Sequence, residues 1–186
     1  MRSDLPALAR ELGANDRTLR RAAARGTVRC RRPGPRRLEL PEGELEYLRT
    51  HWGLLQRLTE TLRTERNVRM AVLFGSVARG DETADSDLDV LVELHDSSLA
   101  ATGRLRRRLR DAAGREAQLV TLEAASSSPV LMADVVEDGR VLVDRMSAWP
   151  AWSERASRLR AEANRTQSDA EDRAREVFAY YGRASR

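Results

Sequence analysis

Between Asn67 and Leu94 the chain reads NVRMAVLFGSVARGDETADSDLDVLVEL, and this stretch constrains the fold more than any other. Val68 to Phe74 is an apolar run of strand length that halts at Gly75-Ser76. Glycine lets the backbone turn and lets a phosphate come close, while the serine hydroxyl and the amides of a following helix start can bind that phosphate. Arg79 lies one turn into that helix. The chain then returns through a polar loop, DETADSD, into a second strand, LDVLVEL. Residues two apart on a strand face the same side, so Asp87 and Asp89 present both carboxylates together. Paired carboxylates facing a phosphate-binding turn form a Mg2+ site rather than a proton-transfer dyad, because hard cations take oxygen ligands and bridge substrate phosphates.

What precedes this stretch has a different character. The chain of 186 residues is long enough for one or two small domains, and with 41% hydrophobic and 33% charged residues it folds rather than staying disordered. Its basic residues are all arginine, a side chain suited to phosphate recognition. The net charge of +4 hides an asymmetry: residues 1–40 hold eleven arginines against Asp4, Glu11, Asp16 and Glu39, a net of +7, which leaves −3 for the remainder. A locally basic segment points to a polyanion partner. Cys30 is the single cysteine, so an intramolecular disulfide framework is excluded. The chain shows no signal peptide and no apolar run long enough to span a bilayer, so a cytoplasmic protein without a membrane partner is expected.

In the N-terminal segment, LPALARELG predicts a short helix ended by Gly13, and DRTLRRAAARG a second one, capped by Asn15 or Asp16 and closed by Gly26. Leu19, Ala22 and Ala23 form the apolar stripe of the second helix, and Arg17, Arg20, Arg21 and Arg25 cover the rest. That division suits a recognition helix whose inner face packs and whose outer face meets phosphates and base edges. VRCRRPGPRRLELP then predicts a hairpin, or wing, with Val28 and Cys30 on one strand, a turn at Pro33-Gly34-Pro35, and Leu38 and Leu40 on the other. Arg31, Arg32, Arg36 and Arg37 flank its tip, in reach of double-stranded DNA. The segment resembles the winged helix-turn-helix at the N-terminus of abortive-infection type antitoxins, most closely in LRRAAARGTVRCRR. A solvated, arginine-rich helical hairpin without a ligand is the alternative.

PEGELEYLRTHWGLLQRLTETLRTE predicts an amphipathic linker helix over 42–66, with Leu45, Leu48, Trp52, Leu55 and Leu62 on one stripe. A second stripe from Trp149 through Ala156, Leu159 and Ala163 to Tyr181 predicts a long terminal helix within 147–186. It is expected to pack on the linker helix or on a second chain, as a homodimer, unless it is a core helix broken near Asn164. His51 and His95 lack metal-ligand partners at useful spacing and are read as structural or exposed.

Gly75-Ser76, Ala78-Arg79-Gly80 and Ser86-Asp87-Leu88-Asp89 together resemble the signature of the minimal nucleotidyltransferases of the DNA polymerase β superfamily, over residues 67–146. The resemblance implies transfer of a nucleoside monophosphate from a Mg2+-bound nucleoside triphosphate, ATP first, to a hydroxyl acceptor. Asp87 and Asp89 would hold metal; Gly75 and Ser76, with Arg79, would hold the triphosphate. The pattern also includes a third carboxylate on a later strand, here REAQLVTL, where this chain has Gln118. An amide is a weak ligand and no base at neutral pH. Glu116, two residues earlier on the same face, is the nearest carboxylate and the candidate to complete the catalytic set; Glu123 is the next. SSPVLMADVVEDGRVLVDR fits the end of such a domain, with a helix, a turn at Asp138-Gly139 and a last strand.

The expected fold class is therefore α+β: a winged helix-turn-helix over 1–41, a linker helix, a small mixed-sheet nucleotidyltransferase domain and a helical tail. Two functions follow. The first is an enzyme that modifies a protein or RNA hydroxyl, as in antitoxins that adenylylate a partner toxin encoded nearby. The second is a repressor or antitoxin whose nucleotidyltransferase domain has lost turnover and binds only nucleotide or partner. Gln118 pulls toward the second, and the Gly-Ser and Asp-x-Asp elements pull toward the first.

Overall fold

A computed structural model describes residues 5–34 and 37–184. Helices α1 (Leu5–Glu11) and α2 (Asp16–Arg25) meet through a turn at Gly13. Asn15 caps α2, its side chain accepting the Thr18 amide at 2.8 Å. Gly26, with a φ of 94°, closes the helix and returns its own amide to Ala22. An antiparallel hairpin follows, β1 (Arg31–Gly34) with β2 (Arg37–Glu39). It starts later than the alternation of Val28 and Cys30 predicts, because the preceding residues are drawn into a junction with the last strand of the chain. Gly26 accepts the Val141 amide at 3.2 Å, the Thr27 hydroxyl donates to the Val141 carbonyl, and Val28 is buried. Of the arginines expected at the hairpin tip, Arg36 lies outside the described residues, as do the side chains of Arg32 and Arg37.

Helix α3 (Glu42–Thr64) does more than connect. Tyr47, Leu48, His51, Trp52, Leu55, Leu58 and Leu62 are buried along its stripe. A stripe of that length must be covered, and here it is covered from both ends. One apolar cluster runs from Leu5, Leu8 and Leu19 through Leu48 and Leu55 to Leu73, Leu109 and Leu142.

The main sheet has the order β5-β4-β3-β6. Strand β3 (Val68–Phe74) lies between β4 (Leu88–Leu94) and β6 (Arg140–Asp144), antiparallel to both. Strand β5 (Ala117–Thr121) runs parallel to β4, which requires a crossover, supplied by α5 (Leu99–Ala113). Alternate residues of β3 enter two separate cores. Val68, Ala71 and Leu73 join the α3 side, whereas Met70, Val72 and Phe74 meet Met132 and Val135 of α7 (Pro129–Asp138) on the other. Two single-turn helices complete the connections: α4 (Gly75–Arg79) after β3 and α6 (Leu122–Ser126) after β5. The result is a mixed α+β fold with helices on both faces of a small sheet.

At the C-terminal end, α8 (Trp149–Ser153) leads into α9 (Ala156–Ala184), whose 29 residues extend about 43 Å. It does not pack on α3, as the periodicity allows, nor does it break near Asn164. Strand β6 delivers the chain to the opposite face of the sheet, so Ala156, Leu159 and Ala163 meet the α7 side. Arg160 pairs there with Asp134 at 3.5 Å and with Glu137. From Asn164 to Glu171 the helix is exposed.

Where the N-terminal helices, α3 and β6 converge lies a buried ion pair. Arg140, 1% exposed, donates to both oxygens of Glu44 at 2.7 and 2.9 Å. Its remaining donors reach the carbonyls of Ala78 at 2.7 Å and Thr27 at 3.3 Å. The guanidinium carbon stands 3.4 Å over the Tyr47 ring, and Glu44 also accepts the Arg29 amide at 2.9 Å. Removing one partner of such a pair leaves an uncompensated buried charge. Glu44→Ala is therefore expected to lower unfolding free energy by about 3–5 kcal/mol in urea denaturation, and Glu44→Met combined with Arg140→Met by clearly less.

Candidate active site

The turn after β3 is shaped by its neighbour. Gly75 has a φ of 74°, and a Cβ at this position would stand 2.5 Å from Asp89 Oδ2. Glycine is therefore needed twice over, for the left-handed backbone and for the space the Asp89 carboxylate fills. Ser76 begins the turn of α4; its carbonyl takes the amides of Gly80 at 2.8 Å and Asp81 at 3.2 Å. Its half-buried hydroxyl has no hydrogen-bond partner among the described residues.

Asp89 is the second residue of β4 and pairs across the ladders with Phe74 on one side and Gln118 on the other. Asp87 sits just before the strand rather than within it, yet it remains on the Asp89 side. Burial, with the Asp87 charge adding to it, holds the Asp89 carboxyl above the ordinary carboxylate range, against the opposing pull of Arg79. Two acids kept this close, one of them desolvated, fit a hard divalent cation. Among the described residues no third His, Cys, Asp or Glu side chain joins them as a metal-binding group.

Gln118 stands where the third acid is sought. Its Nε2 donates to Asp87 Oδ2 at 2.6 Å, so the strand register brings the amide into direct contact with the aspartate pair. Glu116 precedes β5 and is exposed, its carboxylate 3.8 Å from Arg110. A cleft of about 640 Å3 opens beside these groups, lined by Asp87, Glu116, Gln118, Thr102 and Arg106. Glu123 is on the exposed side of α6. Arg79 is exposed but engaged, donating to Asp138 at 2.9 Å and Asp81 at 3.1 Å, and these hydrogen bonds hold its pKa above the ordinary arginine value.

Sequence reasoning missed the groups that hold the loop bearing Asp87. His51 is buried, stacks on Tyr47 with centroids 4.2 Å apart, and lies 2.6 Å from Glu82 through Nε2. Arg115 donates to the Ser86 carbonyl at 3.3 Å. The spacing of Tyr47 and His51, one helical turn apart on the buried stripe, is the signal that could have found them. His95 is exposed, with its amide on Asn67.

The basic residues of α2 divide. Arg20 pairs with Asp16 at 2.6 Å, and Arg17 and Arg21 are exposed. Arg25 turns inward, donating to the Thr27 hydroxyl at 3.0 Å and the Val141 carbonyl at 3.3 Å. Arg31 is exposed at the start of β1.

This arrangement, a glycine-serine turn against two aspartates on a mixed sheet, has a counterpart among known families. The polymerase beta nucleotidyltransferase family matches residues 56–148, half of the chain, and the chain belongs to it. Among solved structures it is similar to a toxin–antitoxin complex with AMP-PNP, at TM-score 0.51 and 24% identity over 67% of this chain and 98% of that one. A toxin–antitoxin MntA–HpeT variant gives TM-score 0.50 and 25% identity, over 66% of this chain and 96% of that one. No curated protein matches the chain. Residues 1–55 lie outside the family match, and among the described residues no helix is long and apolar enough to cross a membrane.

Gly75→Ala tests the packing of the turn on Asp89. The left-handed backbone alone costs about 1–2 kcal/mol, and the added methyl displaces the carboxylate. Calorimetric titration with Mg2+ and a non-hydrolysable ATP analogue should show affinity reduced by at least about tenfold, with folding retained by circular dichroism.

Proposed function

We propose that the chain is an antitoxin-type nucleotidyltransferase that transfers the adenosine monophosphate group of ATP to a hydroxyl of a partner toxin protein, releasing pyrophosphate. The observation that carries this reading is the Gly75 turn closed against Asp89, with Asp87 beside it. The turn and the Ser76 hydroxyl would hold the triphosphate tail, and Asp87 and Asp89 would hold Mg2+. When bound, that ion supplies charge neutralisation at the phosphates and a bridge to the carboxylates. The likeness to toxin–antitoxin complexes, one of them crystallised with AMP-PNP, supports a protein acceptor and an adenine nucleotide. Glu116, on the rim of the same cleft, is the carboxylate nearest in sequence to Gln118 and the candidate to accept the proton of the attacking hydroxyl.

A second reading rests on the Gln118 contact. An amide N–H donated to Asp87 Oδ2 occupies an oxygen that a metal would use, which favours a protein that binds nucleotide or partner without turnover. Incubation with Mg2+, labelled nucleoside triphosphates and the product of the adjacent gene separates the two. The enzyme reading expects label on that protein, abolished by Asp87→Ala and strongly reduced by Glu116→Gln. The binding reading expects none from the wild type and transfer gained by Gln118→Asp. If Asp87→Ala and Asp89→Ala leave triphosphate affinity unchanged, the enzyme reading fails and the second reading is reduced to partner binding.

The N-terminal elements extend the proposal to double-stranded DNA, as an operator-binding, cytoplasmic protein. Support comes from the +7 charge of residues 1–40 and from exposed Arg17, Arg21 and Arg31 on a two-helix and hairpin unit. Replacing Arg31, Arg32, Arg36 and Arg37 with alanine should weaken DNA binding and flatten its salt dependence by about 0.9 in log–log slope for each phosphate no longer neutralised. Filter binding across a salt series reads both, and unchanged affinity removes the hairpin from the interface.

A further inference from the structure

A cavity of about 650 Å3 lies between α2 and α3 and shares no lining residue with the cleft beside Asp87. That volume is in the range of small-molecule sites. Three arginines line it, Arg21 and Arg25 from α2 and Arg63 from α3, with Arg25 also donating through Nε to Thr27 and Val141. Among the described residues, Glu60 is the only carboxylate in the lining, and neither Arg21 nor Arg63 has an ion-pair or hydrogen-bond partner for its side chain. Burial, and after it the Arg63 charge, holds the Arg25 guanidinium below its ordinary range, which marks Arg25 and Arg63 as repelling neighbours. Three like charges against the single carboxylate of Glu60 leave an excess of positive charge, which is unfavourable unless something negative settles among them.

A second observation points the same way. Trp52 lines this cavity, is 5% exposed, and its buried indole N–H has no hydrogen-bond partner among the described residues. Buried donors are nearly always satisfied, so an orphan at a cavity wall calls for an acceptor that comes from outside the chain. Ala22, Leu55 and the Trp52 ring supply apolar lining beside these charges.

We propose that this cavity is a binding site for a small phosphorylated metabolite with a flat organic portion, its phosphate held by Arg21, Arg25 and Arg63 and one acceptor atom held by the Trp52 N–H. Several guanidinium forks suit a phosphate, whose oxygens point in different directions and each accept more than one hydrogen bond. A bare phosphate would leave most of the cavity empty, hence the organic portion over the apolar lining. The site does not depend on nucleotidyl transfer, and it shares Arg21 with the surface proposed for DNA.

The test is calorimetric titration of the full chain with AMP, and separately with pyrophosphate, without Mg2+. It is run on wild type, on the Asp87→Ala/Asp89→Ala variant, on Arg63→Gln and on Trp52→Phe. AMP should bind wild type and the aspartate variant with equal affinity. Arg63→Gln, an exposed position where folding is undisturbed, should weaken it about tenfold or more; Trp52→Phe, which keeps an aromatic ring but removes the donor, should weaken it several-fold. Pyrophosphate should bind more weakly than AMP and lose affinity in Arg63→Gln but not in Trp52→Phe. Absence of AMP binding at millimolar concentration, undiminished binding in Arg63→Gln, or loss of binding in the aspartate variant would each overturn the proposal.

Discussion

The contact between Arg140 and Glu44 organises the molecule, because it satisfies groups from four separate parts of the chain at one point. Glu44 comes from α3 and Arg140 from β6, while the carbonyls of Thr27 and Ala78 belong to the junction after α2 and to the turn that carries Ser76. A guanidinium this buried is costly unless nearly all its donors are used, and here Nε and both terminal nitrogens are. The cost explains the geometry around it. The ring of Tyr47 covers one face of the cation, and the Tyr47 hydroxyl continues to the Val77 carbonyl at 3.1 Å inside α4. Burial pushes the Tyr47 phenol up to about 12 against the opposing pull of the Arg140 charge, with Glu44 and Glu82 adding to the rise, so it acts as a neutral donor throughout.

From that point the polar contacts continue toward the candidate active site. Arg29 donates to the Asp138 carbonyl at 2.6 Å, and the Asp138 carboxylate takes Arg79 from the turn of α4. His51, stacked on Tyr47, holds Glu82 in the loop before Asp87. The N-terminal unit and the Gly75 turn are thus tied to the same residues, which positions the two aspartates from both sides: by the strand ladder and by the loop.

How much of this was legible follows from the range of each interaction. Asn15 and Gly26 act on neighbours within a few residues, and Gly75 and the aspartates stand at the ends of two consecutive strands, so their types and spacing announce the helix cap, the turn and the acidic strand end. The β5 pattern sets Gln118 on a strand facing the acids, although only the structure shows the amide bonded to Asp87. Glu44 and Arg140 are 96 positions apart, and on a helix rich in charge Glu44 reads as one more solvated residue. The terminal helix shows why periodicity alone is incomplete: the stripe of Ala156, Leu159 and Ala163 says that a face is covered but not by what. The direction in which β6 delivers the chain decided for α7. The same holds at the hairpin, where the junction with Val141 took Thr27 and Val28 out of the strand they resemble.

The docking of the N-terminal unit onto β6 has a consequence for synthesis on the ribosome. Thr27 and its partner Val141 are 114 positions apart, so the surface that receives the first helices is made from one of the last strands of the sheet. At about 5–20 residues per second, the nascent N-terminal segment waits on the order of 6–20 s for it. Throughout that interval Glu44 remains hydrated and Val28 uncovered. The basic helices therefore emerge well before the strand that receives them, and the step that seats Arg140 is also the one that docks them.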